Sequence, residues 1–455
     1  MTLKNISSLE RYRDISMFST CEQCGTCSSA CPVTGTNGFN IRRILRSVDL
    51  DIIDEIVDAQ LAWKCTTCGR CETVCPNGIA VLDVIRPLRA MTSEEYLPDR
   101  PPCIDACPAG IEIPEYVRLI AEGKPDEANK VILEKVPFPG ILGRVCTHPC
   151  QDKCKRGDVN TPISICALKR FAADHAQTPF SELFQSGADT GRKVAVIGSG
   201  PSGLTAAFYL RLKGHQVTIF ESKSHLGGMM RYGIPFYRLP EDVLDKEIAQ
   251  IVDLGMETKT DTALGRDVTL EQLKNDGFEA IYLALGFQES RKINLEGSDA
   301  QGVYWGLDFL QAVNSGQELE IQDKVTVIGG GNVAIDVALS ALRMGASEVT
   351  LACLESREEM PASVEEIEIA LEEGVHIEPS WGPQKILTQD GQVQGIELVR
   401  CTSVFDANGK FSPSLDTTTT KKIDCDNVIL AIGQSADIRC VQDEQSCTLK
   451  SGLIA

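Results

Sequence analysis

The chain has 455 residues, of which 43% are hydrophobic and 24% charged, values that are ordinary for a globular protein with room for two to four domains. Its 64 acidic residues against 44 Lys and Arg give a formal charge of -20, which argues against nucleic acid and an anionic membrane surface as partners. Residues 1–12 lack a basic leader followed by an apolar block, and no apolar run has the roughly 18 residues of a spanning helix, so we expect a cytoplasmic protein without membrane insertion.

Cysteine dominates the first third of the chain. Of the 19 cysteines, 14 precede residue 167. A disulfide framework is typical of small secreted proteins, and this chain is large and carries no export signal. We therefore interpret the crowded cysteines as metal ligands in a reducing compartment.

Two N-terminal cysteine runs repeat one spacing, and a proline follows each. The runs are Cys21-x-x-Cys24-x-x-Cys27-x-x-x-Cys31 and Cys65-x-x-Cys68-x-x-Cys71-x-x-x-Cys75. This is the signature of bacterial two-cluster ferredoxins, in which the fourth cysteine of each run ligates the other cluster. It predicts one 4Fe-4S cluster on Cys21, Cys24, Cys27 and Cys75, and a second on Cys65, Cys68, Cys71 and Cys31. Zinc is the alternative, but zinc sites usually pair two C-x-x-C knuckles and need no third cysteine or proline.

With Asn40-Ile-Arg-Arg and Trp63-Lys-Cys-Thr-Thr-Cys added to these runs, residues 10–92 resemble the small iron-sulfur subunit of heterodisulfide reductase. The resemblance implies an α-helical ferredoxin domain, here residues 1–95, that relays electrons to a partner subunit handling thiols or disulfides. Apolar residues at three-to-four spacing also predict amphipathic helices over residues 41–61 and 116–133.

A proline-rich stretch at residues 97–102 separates a second group of cysteines. The group consists of Cys103, Cys107, Cys146, Cys150, Cys154 and Cys166. With Leu168-Lys-Arg-Phe it resembles the N-terminal helical domain of the glutamate synthase small subunit, which implies a helical Fe-S domain over residues 96–180.

That family usually holds two 4Fe-4S clusters and has a further C-x-x-C upstream, which residues 96–102 lack. We therefore expect one cluster, on Cys107, Cys146, Cys150 and a fourth group from the helix that carries Cys166. Cys103 and Cys154 are then leftover or alternative ligands. His148 is interpreted as a structural or potential-tuning residue, because thiolates suffice as ligands.

After a linker at residues 178–191, short β-branched runs alternate with glycines and helical stretches, which is typical of parallel β-α-β units. The pattern occurs twice, from Lys193 and from Lys324. The predicted fold class is therefore multidomain, α plus α/β, with two helical Fe-S domains and two Rossmann-like nucleotide-binding domains.

The first fingerprint is Gly198-x-Gly200-x-x-Gly203, with Pro201 and Ser202 opening a helix and Glu221 ending the next strand. Glycines let the backbone approach a pyrophosphate, the helix N-terminus faces its charge, and the carboxylate accepts ribose hydroxyl protons. The alternative is an ordinary strand-turn-helix without a nucleotide site.

The segment from Leu226 to Pro240 resembles the stretch along FAD in the glutamate synthase family, which makes this first site a flavin site. The flavin-contact candidates that the resemblance implies are Gly227, Gly228, Arg231, Ile234 and Pro235. Gly286 and Gly433 lie in motifs resembling the family's crossings between the flavin and nicotinamide domains. The predicted flavin domain is residues 190–290 with an incomplete part at 425–455, and the nicotinamide domain is residues 291–424.

The second fingerprint comprises Gly329, Gly331, Asn332, Val333 and Ala334, and resembles the family's NAD(P)H domain, as does Arg357 with the residues after it. Relatives that use NADP carry two arginines where this chain has Leu354 and Glu355. A carboxylate there repels a 2'-phosphate and accepts ribose hydrogen bonds, so we expect NADH rather than NADPH. The alternative is that Glu355 is a solvated loop acid and that Arg357 does the recognition.

No catalytic acid or nucleophile is predicted, because the cofactors carry the chemistry of hydride transfer. The five later cysteines, at 353, 401, 425, 440 and 447, form no C-x-x-C pair, which disfavours a disulfide-active variant. The family closes its flavin domain with a Gly-Asp motif that does not occur before Ala455. We expect a fragment, a partner that completes the site, or a flavin held weakly or not at all.

The predicted function is an NAD(P)H-dependent oxidoreductase subunit connecting NADH, FAD and 4Fe-4S clusters to partner redox subunits, within a heterodisulfide-reductase-like or electron-bifurcating complex. Two alternatives stay open. One is a glutamate synthase small subunit, against which the N-terminal ferredoxin-like part argues. The other is an electron-transfer subunit without catalysis of its own.

Overall fold

The computed structural model describes residues 20–35, 38–92, 101–406, 409–441, 449–450 and 453–454. The chain divides into two compact units, Met1–Lys135 with His148–Ala172, and Val136–Thr147 with Ala173–Ala455. Cys447, most of the linker at residues 97–102 and most of the chain after residue 441 lie outside the described residues. The four predicted domains stay a prediction, but the segment Val136–Thr147 groups with the nucleotide-binding unit rather than with its neighbours in sequence.

Up to residue 183 the described regular structure is helical. The α-helices are α1 Thr26–Ala30, α2 Ile41–Asp49, α3 Asp54–Asp58, α4 Arg70–Thr73, α5 Leu82–Thr92, α6 Pro102–Asp105, α7 Ile113–Ala121, α8 Pro125–Leu133, α9 Pro139–Val145, α10 Pro149–Asp152, α11 Ile165–His175 and α12 Phe180–Leu183. Two 3₁₀ turns, Leu61–Lys64 and Lys155–Asp158, lie between them. The two predicted amphipathic helices are each broken in two, since Asp51 and Gly123 adopt left-handed conformations.

In the first unit, a core of buried aliphatic side chains supports the two N-terminal cysteine runs. Phe39, Ile44, Val84 and Ile85 are fully buried there, and half-buried cysteines from both runs pack against this cluster. The loops that carry the cysteines are thus held by side chains from α2 and α5, and α2 lies in the stretch for which the sequence predicts an amphipathic helix.

The second unit contains a four-stranded parallel sheet in the order β3-β2-β1-β4. Its strands are β1 Lys193–Ile197, β2 Gln216–Phe220, β3 Glu257–Lys259 and β4 Phe278–Leu283. The helices of this part are α13 Pro201–Leu212, α14 Met229–Tyr232, α15 Glu241–Val252 and α16 Leu270–Asn275. Helix α13 follows the first glycine loop and connects β1 to the parallel strand β2, so the predicted β-α-β unit is confirmed.

A second parallel sheet has five strands in the order β6-β13-β7-β8-β9. Its strands are β6 Val303–Trp305, β7 Lys324–Ile328, β8 Glu348–Cys353, β9 His376–Pro379 and β13 Asn427–Leu430, and its helices are α17 Gly306–Asn314, α18 Asn332–Arg343 and α19 Val364–Glu372. The four residues of β13 fall within the stretch predicted for the flavin part. In the structure they are all buried and pair with β7 and β6 in this second sheet.

The sequence did not predict the antiparallel sheet β10-β11-β12, formed by Trp381–Gln389, Gln392–Phe405 and Phe411–Ile423. Two short pairs complete the described strands: β5 Glu289–Ser290 with β14 Gln434–Ser435, and β15 Leu449–Lys450 with β16 Leu453–Ile454. A further 3₁₀ turn is Arg439–Val441. None of the helices in the described part of the chain is both long and apolar enough to cross a bilayer.

Candidate cofactor sites

A cavity in the first unit is lined by thiols from both N-terminal runs. Cys21, Cys24 and Cys27 line it together with Cys75, the last cysteine of the other run. The structure therefore brings together the four thiols predicted for the first cluster. Two sulfurs receive hydrogen bonds there: Gln23 Nε2 donates to Cys21 Sγ at 3.3 Å, and the Ile79 backbone N–H donates to Cys75 Sγ at 3.4 Å.

The second predicted set also gathers across the two runs. Burial raises the pKa of Cys71 to about 12, and the charges of Cys65, Cys31 and Cys68 contribute to that shift. Burial likewise raises the pKa of Cys65, with Cys31 again among the causes. Cys31 thus lies within electrostatic range of the other run, as the ferredoxin signature predicts. Such thiols become thiolates only when a cation compensates their charge, which is what a cluster's irons supply.

The two loops repeat one backbone conformation. Gln23 and Thr67, each two residues after the first cysteine of its run, have φ of 56° and 52°, and Gly25 and Gly69 have φ of 83° and 74°. Residues in left-handed conformations turn backbone N–H groups into a concave loop, which suits anionic sulfur. The Thr67 N–H indeed donates to Cys65 Sγ at 3.3 Å.

No group of three or more His, Cys, Asp or Glu among the described residues is arranged to hold a single metal ion. Four thiols drawn from both runs are the donors that a cubane cluster uses, with one thiolate on each iron. The donor set therefore fits 4Fe-4S clusters, and the individual ligand assignments stay predictions.

Around the second cysteine group, the structure adds Tyr116, which sequence reasoning missed. Its buried hydroxyl donates to the Ile165 carbonyl at 3.0 Å. Burial raises the pKa of Tyr116, and four thiols add to the shift. Those thiols belong to Cys150, Cys166, Cys107 and Cys103. A tyrosine inside an amphipathic helix carries no sequence signal that separates this position from an ordinary core residue.

The remaining residues of that group have different surroundings. Cys146 follows α9 and belongs with that helix to the second unit. Cys154 is among the charges that raise the pKa of Cys103, after burial as the main cause. His148 has a left-handed φ of 41° directly before α10, which is consistent with a structural role.

In the second unit, a cleft opens over the first glycine loop. The predicted residues that line it are Gly198, Gly200, Pro201, Ser202, Glu221, Gly228 and Gly286. A side chain at Gly198 would clash with the Ala284 carbonyl oxygen, and a Cβ at Gly228 would lie 2.7 Å from the Gly200 Cα. Both glycines have positive φ, so the loop and the segment after Glu221 approach each other only because no side chain intervenes.

Five other residues of the predicted cofactor-binding set do not line this cleft. Gly203, Gly227, Arg231, Ile234 and Pro235 are not among the residues that line the cleft. Gly203 packs tightly on the Gly198 carbonyl, which is the close helix–strand approach that the third glycine serves. Arg231 is buried and donates to the Leu226 carbonyl at 2.7 Å, so it supports this loop, and its predicted flavin contact stays a prediction.

Glu221 is buried at the end of β2 and is held by the glycine loop. Its Oε2 accepts the Ser199 backbone N–H at 3.0 Å and the Ser199 hydroxyl at 2.5 Å, while Oε1 accepts the Lys223 N–H at 2.9 Å and the Ser222 hydroxyl at 3.1 Å. A carboxylate has about four acceptor positions. A ribose can therefore bond here only by displacing a serine hydroxyl.

The second glycine loop repeats the first in one contact. A side chain at Gly329 would clash with the Ala431 carbonyl oxygen, as one at Gly198 would with Ala284. Each loop is thus covered by the alanine of a crossing motif. Gly331 has open space where a side chain would be, and Val333 and Ala334 lie in the first turn of α18.

In the second site, the acidic residue lies two positions further along the chain than Glu221 does in the first. Strand register aligns Ile197 with Phe220 and Ile328 with Ala352, so the residue equivalent to Glu221 is Cys353. Glu355 follows two positions on, and its Oε2 lies 2.8 Å from where a Cβ on Gly330 would be. The carboxylate is therefore placed over the glycine loop. Nearby, Asn332 Oδ1 accepts the Ser363 backbone N–H at 2.8 Å.

Arg357 is half-buried, with Nη1 3.7 Å from the Met360 sulfur. Gly433 has φ of 116°, and its carbonyl accepts the Arg291 backbone N–H at 2.9 Å next to the β5–β14 pair. Gly433 therefore lies in a turn between the two segments that carry the crossing motifs.

Three family models match the chain. The pyridine nucleotide-disulphide oxidoreductase model covers residues 192–455, the dihydropyrimidine dehydrogenase domain II 4Fe-4S model covers 96–179, and the 4Fe-4S dicluster model covers 17–79. The chain belongs to the pyridine nucleotide-disulphide oxidoreductase family. This confirms the predicted class of NAD(P)H-dependent oxidoreductase domain, with FAD and nicotinamide as its cofactors and 4Fe-4S domains before it.

Three curated relatives illustrate the membership. The β subunit of NADPH-Fe(3+) oxidoreductase from Geobacter sulfurreducens is 38% identical, over 87% of this chain and 61% of the relative. The PreT subunit of NAD-dependent dihydropyrimidine dehydrogenase from Escherichia coli is 35% identical, over 74% and 77%. The small chain of NADPH glutamate synthase from Escherichia coli is 33% identical, over 73% and 74%. The chain thus spans about three fifths of the Geobacter relative.

Proposed function

We propose that this chain is the NAD(P)H-oxidising, flavin-containing iron-sulfur subunit of a larger redox complex. The observation that carries the proposal is the presence of two glycine loops, each closed by a crossing alanine, in a chain that also gathers two interleaved sets of four thiols. The names of the Geobacter and PreT relatives describe subunits, which supports a role alongside partner redox proteins.

The chain's own residues bind and orient, and none has to act as an acid or base. Bound flavin supplies hydride acceptance from a nicotinamide and release of single electrons, for which 4Fe-4S clusters are suitable carriers. The first turns of α13 and α18 would hold each dinucleotide's phosphates with backbone N–H groups. Glu355, and Glu221 once a serine hydroxyl is displaced, would accept hydrogen bonds from the ribose ends, and the packed crossings would limit water access.

For the nicotinamide, we propose a preference for NADH. The Glu355 carboxylate over Gly330 would repel a 2'-phosphate and accept a 2'-hydroxyl. The relatives' names include both NADPH and NAD, so family membership is compatible with either. The competing interpretation assigns recognition to Arg357, which lies two residues on.

The complex type is a finer part of the proposal. In a heterodisulfide-reductase-like or electron-bifurcating assembly, the dicluster region at residues 17–79 passes electrons to a partner subunit. A glutamate synthase small chain gives that region no such role. We place the assembly in the cytoplasm, because the thiols must stay reduced to bind iron.

The test is an absorption and metal assay on the full chain, purified without oxygen. We expect iron and sulfide for at least three clusters, bound flavin, and bleaching of the flavin band with cluster reduction when NADH is added. Clusters without flavin would leave only a non-catalytic electron-transfer subunit, and a colourless, zinc-only preparation would overturn the proposal.

A further inference from the structure

Arg89 lies against the loop that begins the second cysteine run. Its Nε donates to the Ala62 carbonyl at 3.0 Å, and one terminal nitrogen donates to the Cys65 carbonyl. The guanidinium also lies over the Trp63 ring, 5.2 Å from its centre. The contacts with Ala62, Trp63 and Cys65 therefore hold the guanidinium in one place. Arg89 itself lies on the third turn of α5.

The positive charge is within electrostatic range of a thiol. A terminal nitrogen of Arg89 donates to the backbone carbonyl of Cys65, so the guanidinium lies against the residue that carries the first thiol of the run. Cys65 lies in the thiol set that also contains Cys31, Cys68 and Cys71. The half-buried guanidinium is screened less by solvent and salt than an exposed cation would be.

The other thiol set has a different cation. Arg42 lines the cavity with Cys21 and Cys75, and its Nη1 lies 3.5 Å from where a Cβ on Gly25 would be. Arg42 is exposed on α2, so water and salt screen its charge. The two sets are alike in spacing and loop conformation, but Arg89 beside the second set is held by protein contacts, whereas Arg42 beside the first set reaches into solvent.

We propose that Arg89 makes the cluster on Cys31, Cys65, Cys68 and Cys71 the higher-potential member of the N-terminal pair. The inference rests on the proposed function, since it takes the two thiol sets as cluster ligands. Reduction adds one electron and no proton from Arg89, because a guanidinium stays protonated. A fixed cation stabilises the added negative charge, and nearby charge is one determinant of cluster potential.

The experiment is a redox titration of the full-length protein, followed by electron paramagnetic resonance, on wild type, Arg89→Gln, Arg89→Lys and the matched control Arg42→Gln. We expect two N-terminal cluster signals with different midpoints in wild type. Arg89→Gln should lower the higher midpoint by about tenfold in equilibrium constant, which is about 59 mV for a one-electron couple. Arg89→Lys and Arg42→Gln should each change the equilibrium constant of that couple by less than about threefold.

Equal midpoints in wild type would overturn the inference without any variant. The inference is therefore testable even if Arg89→Gln folds poorly. An Arg89→Gln shift no larger than that of Arg42→Gln, or a shift confined to the lower midpoint, would also overturn it, while the proposed function would stand. Absence of both signals from wild type, by contrast, would remove the proposed function itself.

Discussion

Arg238 and Asp336 form a two-point ion pair between the segment after the first glycine loop and the helix after the second. Arg238 Nη1 lies 2.8 and 2.7 Å from the two carboxylate oxygens of Asp336, and Arg238 Nη2 lies 2.7 Å from Glu366. Burial raises the pKa of Asp336 to about 6, although Arg238 opposes that rise. The pair therefore fastens the segment that precedes α15 to α18.

Removal of Arg238 is expected to destabilise the fold. Arg238→Ala leaves the buried Asp336 and the half-buried Glu366 without their cation, which costs about 3–5 kcal/mol in unfolding free energy for a buried pair. Urea denaturation of the cluster-loaded protein measures it. The matched control is Arg439→Ala, which breaks an exposed pair with Asp437 and should cost under about 1 kcal/mol. Equal losses in both variants would contradict a special role for the buried pair.

The crossed ligation predicts an equivalence between cysteine variants. Cys31→Ala and Cys65→Ala should remove the same cluster and leave the same residual paramagnetic spectrum, while Cys21→Ala should leave a different one. Iron content should fall by about four per chain in each case. Cys401→Ala, in the antiparallel sheet, is the control and should change neither. If Cys31→Ala matched Cys21→Ala instead, each run would ligate its own cluster.

Gly228 is expected to be essential for flavin binding. A Cβ there would lie 2.7 Å from the Gly200 Cα, so Gly228→Ala should force the cleft apart and abolish bound flavin, measured as released flavin fluorescence per chain. Gly277→Ala is the matched control, because Gly277 has φ of 87° and open space around it, so it carries only the roughly 1–2 kcal/mol of left-handed strain. Full flavin content in Gly228→Ala would show that the cofactor lies elsewhere.

Glu355 is expected to set the choice of nicotinamide. Glu355→Gln removes a negative charge beside the glycine loop and should raise kcat/KM for NADPH roughly tenfold, with a smaller change for NADH. Steady-state reduction of an artificial acceptor measures both. The exposed neighbour Glu358 provides the control variant Glu358→Gln. An unchanged NADH-to-NADPH ratio in Glu355→Gln would favour recognition by Arg357.

Glu247 predicts a pH dependence of stability. The carboxyl is buried and accepts the backbone N–H groups of Gly140 and Ile141 at 2.6 and 2.9 Å. Burial raises its pKa to about 7, while those bonds and the cations Arg144 and Lys246 oppose the rise. Between about pH 4.5 and 7 the folded state binds more protons than the unfolded state, so the unfolding free energy falls as pH rises through that window.

The expected loss is at most about 3 kcal/mol, from 1.36 kcal/mol per unit of pKa shift. Glu247→Gln is neutral in both states and should lack this component. Urea denaturation of the two proteins at pH 5 and pH 7.5 gives the comparison, in which the difference between them should change with pH. A pH-independent difference would mean that Glu247 is ionised throughout.

Short-range sequence patterns predicted the cofactor chemistry of this protein. The cysteine runs occupy eleven consecutive residues each and the glycine fingerprints six, and their spacing alone limits which ions or phosphates the backbone can surround. The same patterns placed the two parallel β-α-β units and both acids that follow their second strands. For this reason the cofactor classes and the family agree with the sequence-based prediction.

Only the tertiary structure decided what meets these loops from distant parts of the chain. The alanine carbonyls over Gly198 and Gly329, the place of β13 in the second sheet and the Arg238–Asp336 pair join residues 86 to 102 positions apart. Arg231 shows the same limit, since its sequence neighbourhood did not reveal its hydrogen bond to the Leu226 carbonyl. Spacing along a chain constrains local backbone, whereas burial and pairing depend on which surfaces the whole fold brings together.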